Sequence, residues 1–190
     1  MSTRNDNVTG ATAAKAAATL RVFFALWPDA VAGERIAALA RDVARRAGCR
    51  PLRPENIHLT IAFVGDITVD RLAALESIGA AAARESAPFV LPLDRLGAFR
   101  STGIAWLGTD TPPQGLVQLV DALRQGLAAD RFPVEQRSYR AHVTLARRCS
   151  SVAGAMIVPV AWPVERLTLM ASELHPAGSR YRELAAWALA

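Results

Sequence analysis

Three histidines occur in the 190 residues, and two of them open the same four-residue pattern. HLTI runs from His58 to Ile61 and HVTL from His142 to Leu145. With 11 threonines in 190 residues, a histidine has Thr two places on with a probability of roughly 0.06. Two of three doing so by chance comes to about 0.01. Both copies lie in apolar, strand-like runs. On a strand the side chains at i and i+2 share a face. His58 and Thr60 therefore project together, as do His142 and Thr144. Leu59, Ile61, Val143 and Leu145 turn the other way, into a core.

Two such strands facing each other would line a cleft with two imidazoles and two hydroxyls. That set suits in-line displacement at a phosphate. One imidazole takes a proton from the attacking water, and the other gives one to the leaving oxygen. The ordinary histidine pKa, about 6.5, serves both tasks near neutrality. Threonine hydroxyls can donate to the non-bridging oxygens as charge moves onto them. A 2′,3′-cyclic phosphate, strained and singly charged, can react in this way without a metal. A lone His-x-Thr on a strand is more often ordinary sheet; two copies in a histidine-poor chain reverse that preference. Zinc would need three or four ligands, which the spacing does not supply. His175, in ELHPAG, reads as a loop or surface residue.

Arginines collect around both patterns. Arg50 and Arg53 precede the first, and Arg137, Arg140, Arg147 and Arg148 surround the second. A guanidinium suits bidentate phosphate binding. Strict alternation puts Arg147 on the face opposite His142, so reaching the cleft requires a bulge or the strand's end. Phe63, Trp106 and Tyr139 could stack on a base. Apolar neighbours favour core packing for Phe63 and Trp106, whereas Tyr139 sits among arginines.

The elements that must position these residues follow from periodicity. RVFFALW (Arg21 to Trp27) reads as a strand and Asp29 as a helix cap. A helix carrying Ile36, Leu39, Ala40 and Val43 on one face follows, stopping at Gly48. Ile57 to Val64 is a strand, and Thr68 caps a second helix with Leu72, Leu75, Ile78 and Ala82. Two strands with a turn near Ser101 to Gly103 come next. A third helix then begins at Thr111–Pro112 with Leu116, Leu119, Val120, Leu123 and Leu127 inward. The rest is strand-like. The order predicts an α+β fold with mainly antiparallel sheets.

Composition sets outer bounds. Net charge is +5, and Lys15 is the sole lysine. The arginine excess fits a polyanionic partner or codon bias equally well. Cys49 and Cys149 form no CxxC pair, so neither a disulfide framework nor a metal site is indicated, and the usage fits a reducing cytoplasm. No run approaches the roughly 18 apolar residues of a membrane span. Residues 1–20 lack the apolar core of a signal peptide and read as a disordered tail before one domain, residues 21–190.

RPENIHLTIAFVGD (Arg53 to Asp66) and RSYRAHVTLARR (Arg137 to Arg148) resemble the two signature segments of the two-histidine (2H) phosphoesterases. Within them the chain is similar to bacterial RNA 2′,3′-cyclic phosphodiesterases of the LigT type, also called 2′-5′ RNA ligases. RVFFALWP and LTLMASELHPAGSRYREL fit that pattern too. The resemblance implies a two-lobed fold with pseudo-twofold symmetry about a central cleft. It implies His58 as proton donor and His142 as proton acceptor, with Thr60, Thr144 and Arg147 on the phosphate and no cofactor or metal. The implied substrates are RNA 3′ ends or nucleotides bearing a 2′,3′-cyclic phosphate, opened to a 2′-phosphate. The sequence shows no oligomerisation signal, so a monomer is expected, in the cytoplasm that the cysteine usage suggests. Reversible 2′-5′ ligation is the back reaction. Ala141 stands where the family usually has Pro. From the residues alone the two histidines are interchangeable. Linear 2′-5′ linkages or a small cyclic-phosphate metabolite are other substrates, and a non-catalytic RNA- or nucleotide-binding module on the same fold is the alternative function.

Overall fold

The computed structural model describes residues 18–190 apart from 151, 153, 174, 176 and 177. Most of the expected N-terminal tail thus lies outside the described residues, but Thr19 and Leu20 already belong to the first strand. In chain order the elements are β1 (Thr19–Leu26), α1 (Ala30–Ala47), β2 (Arg50–Pro51), β3 (Leu59–Thr68), α2 (Leu72–Arg84), β4 (Phe89–Phe99) and β5 (Ile104–Gly108). Then come α3 (Gln114–Ala129), β6 (His142–Arg147), β7 (Ala155–Val164), β8 (Arg166–Glu173) and β9 (Arg180–Ala188). All the strand pairs are antiparallel, as the sequence predicts. The strands run β7-β4-β5-β6-β3-β1-β8-β9, with β2 beside β6. Two groups of four therefore meet where β6 lies against β3, at the register pair Leu59 and Val143.

Local chemistry explains the helix ends. Asp29 accepts a hydrogen bond from the Ala32 amide at 2.7 Å, and Gly48 closes α1 in the left-handed region at φ 63°. The other two caps differ from expectation. Thr68 makes no side-chain cap; a 3-10 turn, Val69–Arg71, intervenes before α2. α3 starts at Gln114, past Thr111, because Pro113 biases Pro112 to extended backbone and delays the helix.

The helices cover one face of the sheet. β1 shows how the two faces divide. Val22, Phe24 and Leu26 enter the large core with the inward stripes of all three helices. Phe23 and Ala25 face the other way, with Met170, Trp27 and Tyr181, in a small second cluster. Leu59, Ile61, Val143 and Leu145 are buried in the large core, each worth roughly 1.5–3 kcal/mol. His58, Thr60, His142 and Thr144 are thereby left to the second face.

One expectation is corrected. Cys49 and Cys149 are joined as a disulfide, with Cα atoms 4.7 Å apart. The pairing of β2 with β6, Arg50 opposite Arg147, brings together two cysteines separated by 100 residues. Neither that two-residue strand nor its register is visible in periodicity. A cross-link closing so long a loop restricts the unfolded chain. Adding a thiol reductant should therefore lower the unfolding free energy in urea by about 2–4 kcal/mol, and a Cys49→Ser/Cys149→Ser protein should not respond. Two titratable thiols in the unreduced, denatured protein would refute the pairing.

Candidate active site

The antiparallel register fixes how the two motifs face each other. With Leu59 opposite Val143, His58 stands across from Thr144 and Thr60 across from His142. The two imidazoles are diagonal neighbours on one face, for which backbone separation is roughly 7–8 Å. Thr60 and His142 line one cavity together, as this register requires.

Both rings are oriented by the same local contact. Nδ1 of His58 lies 2.8 Å from the Asn56 carbonyl oxygen, and Nδ1 of His142 lies 2.8 Å from that of Arg140. A carbonyl only accepts, so each Nδ1 carries the proton and donates it. In the neutral ring each Nε2 is therefore a bare acceptor, left uncommitted by the backbone contact.

The surroundings of the two rings differ. Trp27 stacks on His58 at 4.8 Å and 16°, and Tyr181 meets it edge-on at 5.1 Å. Phe23 lies 5.3 Å away. Among the described residues, the ring against His142 is Phe99, edge-on at 5.0 Å. Burial among these rings drives the His58 pKa down to about 4; the Asn56 carbonyl opposes the shift, and the charges of Arg147 and His142 add to it. Arg147 is thus within electrostatic reach of His58. The β5–β6 register slips by one residue between Ala105 and Trp106, so that Leu145 and Ala146 are both buried and Arg147 emerges beyond them. This bulge is the device strict alternation required.

Tyr139 is no free stacking platform. Its hydroxyl donates to the Thr60 carbonyl at 2.9 Å, strapping the approach to the second motif onto the strand of the first, and burial pushes its pKa up. Phe63 departs from expectation. It is 55% exposed and lines, with Phe99 and Tyr139, a cavity of about 360 Å³ that reaches Thr60 and His142. Successive register shifts between β1 and β3 turn it outward despite apolar neighbours. Trp106 packs on Phe99 at 5.6 Å and over Gly97, where any side chain would overlap its ring. His175 is exposed in the β8–β9 connection, away from the two motifs in sequence. Sequence reasoning missed Phe23, Trp27 and Tyr181. The alternation Phe23, Ala25, Trp27 was the available sign of a second, aromatic face.

Comparison with known proteins follows the same lines. The family model described as LigT like Phosphoesterase matches residues 26–106. An RNA 2′,3′-cyclic phosphodiesterase of Escherichia coli is 34% identical over 89% of this chain and 96% of its own length. A protein of the same name from Thermus thermophilus is 30% identical, covering 90% of each chain. The crystal structure of E. coli LigT complexed with 3′-AMP superposes with a TM-score of 0.79 at 31% identity, covering 90% of this chain and 99% of that one.

The buried imidazole sets a pH dependence. Between about pH 4 and the ordinary value near 6.5, unfolded His58 holds a proton that folded His58 does not. Its contribution to stability is complete above that window and is lost as the pH falls through it. Acidification across this range should cost up to a few kcal/mol, on the order of 3 at most. His58→Ala should remove that slope. Imidazole NMR resonances would show His58 titrating near 4; a midpoint near 6.5 would contradict the burial argument.

Proposed function

The chain belongs to the LigT-like phosphoesterases, and on that premise we propose that it hydrolyses 2′,3′-cyclic phosphate at RNA 3′ ends or on nucleotides, leaving a 2′-phosphate. The observation that carries this reading is the pair of imidazoles on one sheet face, each with Nδ1 tied to a carbonyl and Nε2 left free to exchange a proton.

In the proposed reaction the cyclic phosphate sits between His58 and His142. Nε2 of His142 takes a proton from water as the water oxygen attacks phosphorus. The bond to the 3′ oxygen breaks opposite the incoming oxygen, and the departing 3′ oxygen takes the proton from Nε2 of His58. Thr60 and Thr144 donate to the non-bridging oxygens, and Arg147 meets their charge. His58 is deprotonated near neutrality in the free protein, because burial and neighbouring cations oppose its charge. An entering phosphate anion reverses that balance, so the proton is loaded as substrate binds. A 5′-hydroxyl in place of water would leave a 2′-5′ linkage instead.

No step is routed through a metal. Among the described residues no group of three or more His, Cys, Asp or Glu side chains is placed to hold one. Among the same residues no helix is long and apolar enough to cross a membrane. We infer a monomer, since every group in the scheme comes from one chain, and a cytoplasmic setting, where RNA ends are found. In a reducing compartment the Cys49–Cys149 pair would be exposed to the local thiol poise.

Turnover of a nucleoside 2′,3′-cyclic phosphate in the presence of EDTA tests the reading. Undiminished hydrolysis is expected, with His58→Ala and His142→Ala each lower by roughly 10²–10⁴-fold in folded protein. The kcat/KM profile should be bell-shaped and report two macroscopic pKa values of the pair. Binding without turnover in the wild type would point to the non-catalytic module. Activity restored after EDTA by a divalent ion would refute the metal-free scheme.

A further inference from the structure

A second cavity, of about 170 Å³, opens beside the cleft on the side of His58. Arg50, Arg53, Asn56, Arg147, Arg148 and Tyr181 are among its lining residues. It joins the site already described at two points. Tyr181 lies edge-on to His58, and the charge of Arg147 acts on the same ring. We propose that Arg50, Arg53 and Arg148 form a second phosphate site, which holds the internucleotide phosphate preceding the terminal nucleotide and so favours an RNA end over a cyclic mononucleotide. This inference rests on the cyclic phosphodiesterase reading and names its substrate class.

Four observations carry it. The first is charge: four guanidinium groups line the cavity and, among the described residues, no carboxylate does. Among the described residues the ion pair recorded for this cluster is Arg53 with Glu55, at 3.9 Å and solvent-exposed. The second is construction. Arg50 and Arg147 are direct cross-strand partners, an arrangement that like charges oppose unless an anion joins them. The Cys49–Cys149 bridge lies immediately outside Arg50 and Arg148 and holds their two backbones together.

The third is conformation. Arg148 takes the left-handed region at φ 59°, uncommon for a side-chain-bearing residue, and the Cys149 amide bonded to the Gly103 carbonyl at 2.9 Å follows directly. The fourth is size. About 170 Å³ with four guanidinium-bearing residues in its wall suits a phosphate, whereas the cavity of about 360 Å³ on the His142 side, with Phe63 and Phe99, suits a base. With the cyclic phosphate between the imidazoles, the next phosphate along the chain is the one on the 5′ oxygen of the same nucleoside.

The test compares three substrates on the intact protein: a nucleoside 2′,3′-cyclic phosphate, its 5′-phosphorylated form, and a dinucleotide ending in the same cyclic phosphate. The last two should show a KM lower by roughly tenfold, the scale of one charge-assisted hydrogen bond, and the gain should shrink as salt rises. Arg50→Ala/Arg148→Ala should abolish the gain and leave turnover of the plain cyclic mononucleotide unchanged, which also reports that the variant is folded. Should that variant fail to fold, the wild-type comparison and Arg53→Ala decide. Equal KM for all three substrates in the wild type would overturn the second site, as would a variant that weakens all three alike. A gain confined to the 5′-monophosphate would overturn the RNA-chain assignment. Absence of turnover with every substrate would instead overturn the hydrolase reading, and this inference with it.

Discussion

The two halves of the sheet are joined through Leu59 opposite Val143, and the geometry of the site is set from that pair. Their side chains are fully buried in the core beneath the helices. Alternation then leaves each neighbouring histidine and threonine no choice of face. A slip of one residue in either strand would bury an imidazole and expose an aliphatic side chain, so the hydrophobic core itself enforces the register. The Tyr139 hydroxyl on the Thr60 carbonyl adds a second tie across the same joint. Placing paired imidazoles at adjoining central strands gives a precision that loops do not offer.

The joint is symmetric, and what surrounds it is not. Each imidazole uses Nδ1 on the carbonyl two residues earlier, so both Nε2 atoms are presented alike. His58, however, is enclosed by Phe23, Trp27 and Tyr181, whereas Phe99 is the ring recorded against His142. Burial among these rings holds the His58 pKa well below the ordinary histidine value.

Much of this was legible in the residues. The repeated His-x-Thr pattern picked out four side chains that alternation and register put on one face of the sheet, and 3.6-residue periodicity found the inward stripes of α1 and α3. The need for a bulge at Arg147 followed from counting alternate positions, and the Leu145–Ala146 step supplies it. What stayed hidden depends on register between distant segments. Cys49 meets Cys149 because β2 pairs with β6. Phe63 turns outward because β3 shifts against β1. Trp27 stacks on His58 because β1 lies next to β3. No local pattern in any one segment carries that information.

The central claim is that His58 and His142 have opposite duties across one phosphate. The most direct test uses a cyclic phosphate analogue with sulfur in place of the 3′ bridging oxygen. A thiol is far more acidic than an alcohol, with a pKa of about 8.5 for a free cysteine, and leaves as thiolate with little need of a proton. Turnover of this analogue should be restored in His58→Ala, which lacks the acid, and should remain lost in His142→Ala, which lacks the base. Rescue of both variants alike, or of neither, would contradict the division of labour.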